Sequence, residues 1–423
     1  MRKTILFFAA AVLLSMASVY AQGGTTGPLT WEINDGTLTI SGEGEMPDYP
    51  YAITPWYDYK NDIHILIIER GVTRIGSLAF GHLKNLTSVS IANTVLTLRE
   101  GAFFRCTTLP SITIPDGLRT IKTYAFRDCS SLNSIILSKT VEEIDLSAFD
   151  GCFSLTSIEV ANANTNYASE NGILFNKDKT VLFFYPAGKS GGYTIPNNVV
   201  AIGNGAFRDC TKLTSVAIPN SVTSIGEAAF SFCTSLTSLK IPNSVTSIGT
   251  STFFDCTNLT SVTIPSSVTS IGYSAFYSCH NLKKITNLNP VPVNIEYNVF
   301  SGVDCSACTL EVPLGSVAAY EEAKVWKEFN IVGINVGITL QESLQLSFYP
   351  NPTTGVLNLT QETINNEQLT INNIEIFDIY GKKHHLIPSS SHHLINISHL
   401  PAGLYFIKVY TEKGVVVEKV IKN

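Results

Sequence analysis

The stretch that decides the fold reads CTSLTSLKIPNSVTSIGTSTFFD over residues 233–255 and CTNLTSVTIPSSVTSIGYSAFYS over residues 256–278. Both segments are 23 residues long and carry Cys, Leu, Ile-Pro, Val, Ile-Gly and Phe at the same places. Self-similarity at a fixed period of roughly 20–50 residues indicates a solenoid, in which each repeat buries its apolar face only against its neighbours. The stretch therefore predicts a scaffold that presents a surface rather than a catalytic pocket.

The repeat extends well beyond this stretch and can be followed by the second apolar residue of each predicted strand. That position is held by Ile68, Ile91, Ile114, Leu137, Val160, Ile195, Ile218, Ile241, Ile264, Asn287 and Val312. The intervals are 23 residues, except for 35 between Val160 and Ile195 and 25 between Asn287 and Val312. With one coil defined as one repeat, the sequence predicts a mainly β solenoid of about eleven coils over residues 63–335.

The longest interval defines an extended coil at residues 161–195. Two apolar runs, at residues 172–176 and 180–186, flank Lys177-Asp178-Lys179 and predict a hairpin. We expect the hairpin to replace the usual turn and to protrude from one side of the solenoid. Protruding insertions are common binding elements in repeat proteins, but a tolerated insertion without a ligand explains the same sequence equally well.

Within one coil, the alternation of strand side chains points Leu239 and Ile241 inward. Pro242 ends the strand because it has no amide hydrogen to donate. Phe253 and Cys256 lie three residues apart and are predicted to share one face of a single helical turn. Each coil should therefore stack Leu on Leu and Phe on Phe with its neighbours.

The two ends of the solenoid carry their own signals. Asn34-Asp35-Gly36 between alternating apolar residues predicts a hairpin, and residues 22–62 are predicted to cap the first coil. At the other end, residues 316–329 are predicted to form a capping helix that begins at Ser316. A linker is expected from about Val332 to Gln341.

The first residues have the features of an export signal. Arg2 and Lys3 precede an apolar run from Ile5 to Leu14, and small residues lead to a predicted cleavage site after Ala21. Residues 1–21 are therefore predicted to be a signal peptide. A membrane anchor is less favoured, because the run is shorter than the ~20 residues that a spanning helix needs. No transmembrane segment is expected in the mature chain.

The charge distribution excludes nucleic acid as a partner. The net charge is −6, and charged residues make up only 15% of the chain. Residues 201–282 hold three basic and three acidic side chains. A nucleic-acid groove needs clustered Lys and Arg to displace counterions.

The repeat resembles the BspA-type leucine-rich repeat of bacterial surface proteins over roughly residues 30–335. The resemblance includes Trp31, the Pro55-Trp56 pair, Asn171-Gly172-Ile173-Leu174 in the long coil, and Val312-Pro313 with Tyr320 and Trp326 near the end. It implies adhesion to host matrix proteins, host cell surfaces or other bacteria.

Residues 340–423 contain short apolar runs separated by turn residues, which predict a small β-sandwich. Three motifs stand in order along this segment: Pro350-Asn351-Pro352-x-x-Gly355, then Pro401-x-Gly403-x-Tyr405, then Lys419-Val420-x-Lys422. The segment resembles the C-terminal sorting domain of the type IX secretion system. That resemblance implies the type IX machinery as a partner and passage across the outer membrane of a Gram-negative bacterium. It also implies removal of the domain and attachment to a surface lipopolysaccharide.

Seven cysteines share one repeat position, which Leu83 occupies in an earlier coil: Cys106, Cys129, Cys152, Cys210, Cys233, Cys256 and Cys279. A position that accepts Leu is an apolar core position, and buried Cys behaves as a small hydrophobe. Disulfides between some neighbouring coils remain the alternative. Cys305 and Cys308 lie outside the series and are predicted to close a local disulfide, because no second ligand pair has zinc-site spacing.

No catalytic residue, cofactor or metal ligand is assigned. His384, His385, His392, His393 and His399 cluster near Ser389-Ser390-Ser391 and are predicted to lie in a solvated loop. The sequence has no Gly-rich phosphate loop, no His-x-x-x-His pair and no Ser with a recurrent His and carboxylate.

The outward side chains of the strands form the predicted binding face. Ser215, Ser238, Lys240, Ser261 and Thr263 represent this hydroxyl-rich ribbon, which suits a broad contact with protein or glycan of modest affinity. The predicted function is non-enzymatic adhesion at the cell surface or after secretion. A structural surface coat without a specific ligand is the alternative, and a surface hydrolase is less favoured.

Overall fold

A computed structural model describes residues 22–335, 346–361, 371–378, 381–384, 394–411 and 414–423. Ala21 and the predicted signal peptide lie outside the described residues, as do His385, His392 and His393. The chain divides into two compact units, Met1–Ile334 and Asn335–Asn423. Each unit is described by itself.

The first unit is built from short strands. In chain order they are β1 (Gln22–Thr26), β2 (Leu29–Asn34), β3 (Thr37–Gly42), β4 (Gly44–Glu45), β5 (Ile65–Ile68), β6 (Val72–Ile75), β7 (Ser88–Ile91), β8 (Thr97–Leu98), β9 (Ser111–Thr113), β10 (Thr120–Ile121), β11 (Ser134–Leu137), β12 (Glu143–Ile144), β13 (Ser157–Val160), β14 (Tyr167–Glu170), β15 (Ile173–Asn176), β16 (Val181–Phe184), β17 (Gly191–Thr194), β18 (Ala201–Ile202), β19 (Leu213–Ala217), β20 (Ser224–Ile225), β21 (Ser238–Lys240), β22 (Ser247–Ile248), β23 (Ser261–Ile264), β24 (Ser270–Ile271), β25 (Lys284–Asn287), β26 (Thr309–Pro313) and β27 (Asn330–Ile334).

Helical segments in this unit are few and short. The α-helix α1 spans Val317–Glu322, and 3-10 turns span Pro50–Ala52, Tyr57–Tyr59, Leu146–Phe149, Tyr297–Phe300, Cys305–Ala307, Leu314–Ser316 and Trp326–Glu328.

The coils stack as two columns of parallel strands. The front column consists of the groups β3-β5-β7, β9-β11-β13, β17-β19 and β21-β23-β25-β26-β27. The rear column consists of β4-β6-β8-β10-β12, β16-β18-β20 and β22-β24. The register preserves the repeat, since Leu239 lies opposite Val262 and Ile248 lies opposite Ile271. Each of the eleven predicted coils supplies one front strand, and β3 and β27 extend the column at its ends, so the predicted mainly β solenoid is confirmed.

A ladder of stacked aromatic rings runs through the centre of the coils. Its members are Trp56, Phe80, Phe103, Phe126, Phe149, Phe184, Tyr185, Phe207, Phe230, Phe253, Phe276, Phe300 and Trp326. Ring centroids of neighbouring coils lie 4.8 Å apart for Phe207 and Phe230 and 6.0 Å apart for Phe126 and Phe149. Aromatic pairs at such distances contribute ~0.5–1.5 kcal/mol beyond the burial of their area. Trp56 and Trp326 are themselves fully buried and close the ladder at its ends.

The backbone on either side of a ladder ring is left-handed. Ser251 and Asp255 flank Phe253 with φ angles of 54° and 57°. The amides of Ser251, Phe253 and Asp255 donate to the next coil, at Tyr273 O, Ala275 O and Tyr277 O, over 2.8–2.9 Å. We call this third set of bonds between coils the turn column. The predicted turn joins Phe253 and Cys256, since the Cys256 amide donates to Phe253 O over 3.3 Å and both side chains are buried. Its predicted helical geometry is wrong, because Asp255 within the turn is left-handed.

The long coil contains the predicted hairpin, but the hairpin does not protrude. β15 pairs antiparallel with β14 and β16, and β16 joins the rear column beside β18. Ile173, Leu174 and Phe175 are all at least 98% buried. Ile173 and Phe175 pack with the coils that follow, whereas Leu174 packs with the coils that precede. The predicted protrusion is wrong because three consecutive apolar side chains need cover on both faces of the strand.

The predictions for the two ends of the solenoid differ in accuracy. β2 and β3 form the hairpin around Asp35 and Gly36, which have positive φ angles of 45° and 71°. At the C-terminal end, the predicted helix over 316–329 is wrong, since α1 stops at Glu322 and Val325 has a φ of 70°. Ser316 does not cap α1, because its hydroxyl donates to Pro290 O over 2.8 Å.

The predicted linker also begins too early. β27 pairs in parallel with β26 from Asn330 to Ile334, so the last strand of the solenoid includes Val332. This extra coil buries Phe329 and covers the edge that β26 would otherwise expose.

The cysteines at the shared repeat position are free thiols inside the core. The thiol of Cys256 donates to Phe230 O over 3.1 Å, and that of Cys279 donates to Phe253 O over 3.2 Å. Burial raises the pKa of the Cys256 thiol well above its ordinary value and that of Cys279 to about 12. These cysteines therefore act as small apolar side chains of the core.

The second unit holds two sheets with a common core. Its strands are β28 (Leu346–Tyr349), β29 (Val356–Gln361), β30 (Ile371–Asp378), β31 (Lys383–His384), β32 (Leu394–Asn396), β33 (Gly403–Thr411) and β34 (Gly414–Lys422). The sheet orders are β28-β29-β32 and β31-β30-β33-β34. Leu357 and Ile395 of the first sheet pack in one cluster with Ile376, Ile407 and Val420 of the second.

Replacing Ser251 by Val should lower the free energy of unfolding by about 1–2 kcal/mol, because a β-branched side chain resists a positive φ. The matched change Ser247→Val, at the exposed position of β22, should stay within ~0.5 kcal/mol. Urea unfolding followed by circular dichroism measures both. Equal losses at the two positions would show that left-handed geometry at Ser251 carries no penalty.

Alkylation with iodoacetamide at pH 8 should label Cys305 of the native protein before any ladder cysteine. Burial raises the pKa of Cys305 to about 11, but this side chain is only half-buried, whereas Cys256 is inaccessible. Labelling should accelerate as pH rises toward 11, since the thiolate is the nucleophile. Mass spectrometry gives the order of labelling, and prior labelling of Cys256 would contradict the core assignment. The structure also has Cys305 and Cys308 as free thiols, in place of the predicted local disulfide. Protection of Cys305 that is removed by a reductant would contradict this assignment.

Candidate functional site

The outer face of the front column presents the predicted ribbon. Ser215, Ser238 and Lys240 are exposed, whereas Ser261 and Thr263 are half-buried. Strand pairing aligns Ser238 with Ser261 and Lys240 with Thr263, so these four side chains form two parallel rows. The structure therefore brings four of the five predicted residues together on adjacent strands.

Toward the C-terminal coils, the two rows continue with charged side chains that are paired with each other. Lys284 Nζ lies 2.7 Å from Glu311 Oε1, and the hydroxyl of Thr286 donates to Glu311 Oε2 over 2.8 Å. Burial alone would raise the pKa of Glu311, but its bonds with Lys284 and Thr286 lower it. The ribbon is thus a polar surface whose charges near β26 are already paired.

A second feature lies where the long coil interrupts the turn column. Here a cleft of about 400 Å³ opens between the coil of Phe149 and the coil of Phe207. We call it the coil-break cleft, and its lining includes Asp145, Leu146, Ser147, Asp150, Phe184, Asn204, Gly205, Arg208, Glu227 and Ala228.

The local backbone explains why the cleft is open. Ser147 holds the repeat position of Ser251, two residues before a ladder ring, but lies in a 3-10 turn. Its amide donates to Asp145 Oδ1 over 3.0 Å, instead of bonding to the next coil. On the opposite wall, the Gly205 amide donates onward to Glu227 O over 2.9 Å.

The carboxylates of the cleft differ in their surroundings. Burial would raise the pKa of Asp145, but hydrogen bonds from Ser147 and Thr123 lower it. Burial raises the pKa of Asp150, and the attraction of Arg208 offsets this only in part. Arg208 Nη1 lies 3.9 Å from Asp150 Oδ2, which is an ion-pair contact beyond hydrogen-bonding distance.

None of the cleft residues was predicted as a site residue. They come from two segments more than fifty residues apart, at 145–150 and 204–228, and from Phe184 between them. The 35-residue interval located the long coil, but the expectation of a protruding hairpin placed function outside the solenoid. The signal that could have led to the cleft is the absence of one turn segment from an otherwise regular array.

The sorting-like motifs meet at the end of the chain. Asn351 Nδ2 donates to Lys419 O over 2.8 Å, and Asn351 Oδ1 accepts from the Ile421 amide over 2.9 Å. The Thr353 amide, between Pro352 and Gly355, donates to Ile421 O over 2.8 Å. The Pro350–Gly355 loop therefore lies along the outer edge of β34, where Lys422 is buried.

Gly403 begins β33, two residues before Tyr405, whose hydroxyl donates to Pro401 O over 2.9 Å. Tyr405 also packs edge-on against His384, which lies 3.0 Å from Asp378. Within the described residues, no group of His, Cys, Asp or Glu has the geometry of a metal site. None of the described helices is long and apolar enough to cross a membrane.

Comparison with known families identifies both units. The model for the BspA type leucine rich repeat region matches residues 56–173 and 183–308 in six copies. The model for the secretion system C-terminal sorting domain matches residues 347–423. No catalytic domain is among these matches. No curated protein matches the chain significantly.

Two solved structures of bacterial proteins share the repeat fold with TM-scores above 0.5. A leucine-rich repeat protein from Eubacterium ventriosum is 28% identical, with a TM-score of 0.51 over 70% of this chain and 78% of that protein. The pneumococcal vaccine antigen PcpA is 16% identical, with a TM-score of 0.53 over 74% of this chain and 99% of PcpA. At that identity the likeness to PcpA shows the fold alone. A leucine rich cell surface protein from Faecalibacterium prausnitzii is 24% identical, with a TM-score of 0.47 over 75% of this chain and all of that protein.

Replacing Asn351 by Ala should loosen the end of β34, since it removes two hydrogen bonds worth about 1 kcal/mol each. We expect the Ile421 amide to exchange its hydrogen about tenfold faster or more, as measured by NMR hydrogen exchange. The control Asn358→Ala removes only one longer bond, to Tyr349 O at 3.4 Å, and should leave Ile421 unchanged. An unchanged exchange rate in Asn351→Ala would show that this loop does not secure β34.

Proposed function

The chain belongs to the BspA-type leucine-rich-repeat family, whose model matches more than half of its residues, and we propose that it is a non-enzymatic adhesin. In this role it attaches a Gram-negative bacterium to host matrix proteins, host cell surfaces or other bacteria. The sorting domain indicates export by the type IX system to the cell surface or beyond it.

The observation that supports binding is the ribbon of the front column. β21, β23 and β25 lie side by side in one register, so their outward side chains form a continuous polar surface. The aromatic ladder and three sets of bonds between coils hold this surface rigid. A rigid surface loses little conformational entropy when it binds, which suits broad contacts that lack strong anchors.

A structural surface coat is the alternative function. Small polar side chains are also what a solvated sheet face tolerates, and a coat needs no specific ligand. The two functions differ in one measurable respect, because only an adhesin binds its ligand saturably.

Changing Ser238, Ser261 and Thr263 to Glu should reduce saturable binding of the purified protein to immobilised matrix proteins, cells or a glycan array. Three added carboxylates within a contact must lose their hydration, so we expect about a tenfold loss or more in affinity. The matched control places Glu at Ser224, Ser247 and Ser270, which are exposed on the rear column. Equal losses in both triple variants would contradict a site on the ribbon, and no binding across all panels would favour the coat.

Removal of residues 340–423 should trap the protein in the periplasm, because the type IX machinery recognises the sorting domain. Cell fractionation and surface proteolysis measure where the truncated protein accumulates. Display of the truncated protein at a normal level would refute export through this domain.

A further inference from the structure

We propose that the coil-break cleft binds the side chain of an arginine or lysine residue that a protein ligand presents. This role rests on the proposed binding function, for which the cleft supplies one specific subsite. The proposal gives the binding function a defined location and a cationic ligand, neither of which the polar ribbon specifies.

At the coil-break cleft the solenoid leaves room for a ligand. In uninterrupted coils, amides such as those of Ser251 and Asp255 bond directly to the next coil and close the turn column. At Ser147 that bond is replaced by one to Asp145, and the resulting volume of about 400 Å³ is within the range of ~300–1,000 Å³ for small-ligand pockets.

The charges of the lining favour a cation. Asp145, Asp150 and Glu227 provide three carboxylates, whereas Arg208 provides the single guanidinium of the lining. The side chain of Asp150 is only 16% exposed, and its carboxylate accepts no hydrogen bond from any residue that the structure describes. The Asp150 carboxylate is largely enclosed, and its ion pair with Arg208 is beyond hydrogen-bonding distance. A second cation that donates to Asp150 would therefore stabilise the cleft.

The apolar part of the lining favours a long side chain over a simple ion. Leu146, Phe184 and Ala228 offer surface against which a methylene stem can pack. Lysine and arginine bury such stems while their charged heads stay near polar groups. A neutral sugar would leave the excess negative charge uncompensated, and an anion would add to it.

The test compares N-acetyl-arginine amide with N-acetyl-citrulline amide, which has nearly the same shape but no charge. Binding to the purified full chain is followed by NMR through the amides of Gly205 and Ala228. We expect saturable shifts with the arginine compound and an affinity at least about tenfold lower with the citrulline compound. Equal affinities, or shifts elsewhere only, would overturn the proposal.

Substitutions in the lining provide the second arm. Asp150→Asn and Glu227→Gln should each weaken the arginine compound by about fivefold or more, as expected for the loss of a charge-assisted contact. Glu100→Gln is the matched control, since Glu100 stands three residues before Phe103 as Glu227 stands before Phe230, and it should bind like the wild type. If Asp150→Asn does not fold, the exposed Glu227→Gln decides, and wild-type affinity in that variant refutes the assignment.

Failure of the cleft and failure of the proposed function give different results. A protein that adheres saturably but does not bind the arginine compound refutes the cleft and leaves adhesion intact. A protein that binds the arginine compound but no macromolecule supports the charge recognition and refutes the proposed protein ligand.

Discussion

The structure depends on the spacing that places each ladder ring over the ring of the preceding coil. A single coil of 23 residues cannot bury its own Phe, Leu and Ile side chains, so every coil is stable only between two others. Stacking at 4.8–6.0 Å fixes the separation of the coils, and the strands and turn amides bond at that same separation. Ring packing and backbone bonding therefore require one repeat length, and the few departures from it are the places where the surface changes.

Most of the solenoid could be predicted because its core residues recur at fixed positions. Leu239 and Ile241 alternate with polar neighbours, and this pattern alone gave their inward direction and the sequence of front strands. The seven repeat cysteines could likewise be assigned to the core, since Leu83 at the same repeat position shows that the position is apolar. The sorting segment was predictable for a different reason: its motifs are specific residues that the structure gathers around the end of β34.

The remaining features arise from contacts that no local pattern shows. Left-handed backbone occurs at ordinary residues such as Ser251 and Asp255, where no glycine marks it, because bonds to the next coil impose the conformation. Ile173, Leu174 and Phe175 indicated burial on both faces, but the interpretation as a hairpin drew attention to the turn instead. The cleft depends on segments that are distant in the chain and on a missing piece of the turn column, so no contiguous motif could reveal it.

The division of the core by β15 has a mechanical consequence. Its alternate side chains belong to different clusters, so this strand is a wall between two blocks of coils rather than another identical layer. In a one-dimensional stack, each block then melts or stretches as its own cooperative segment.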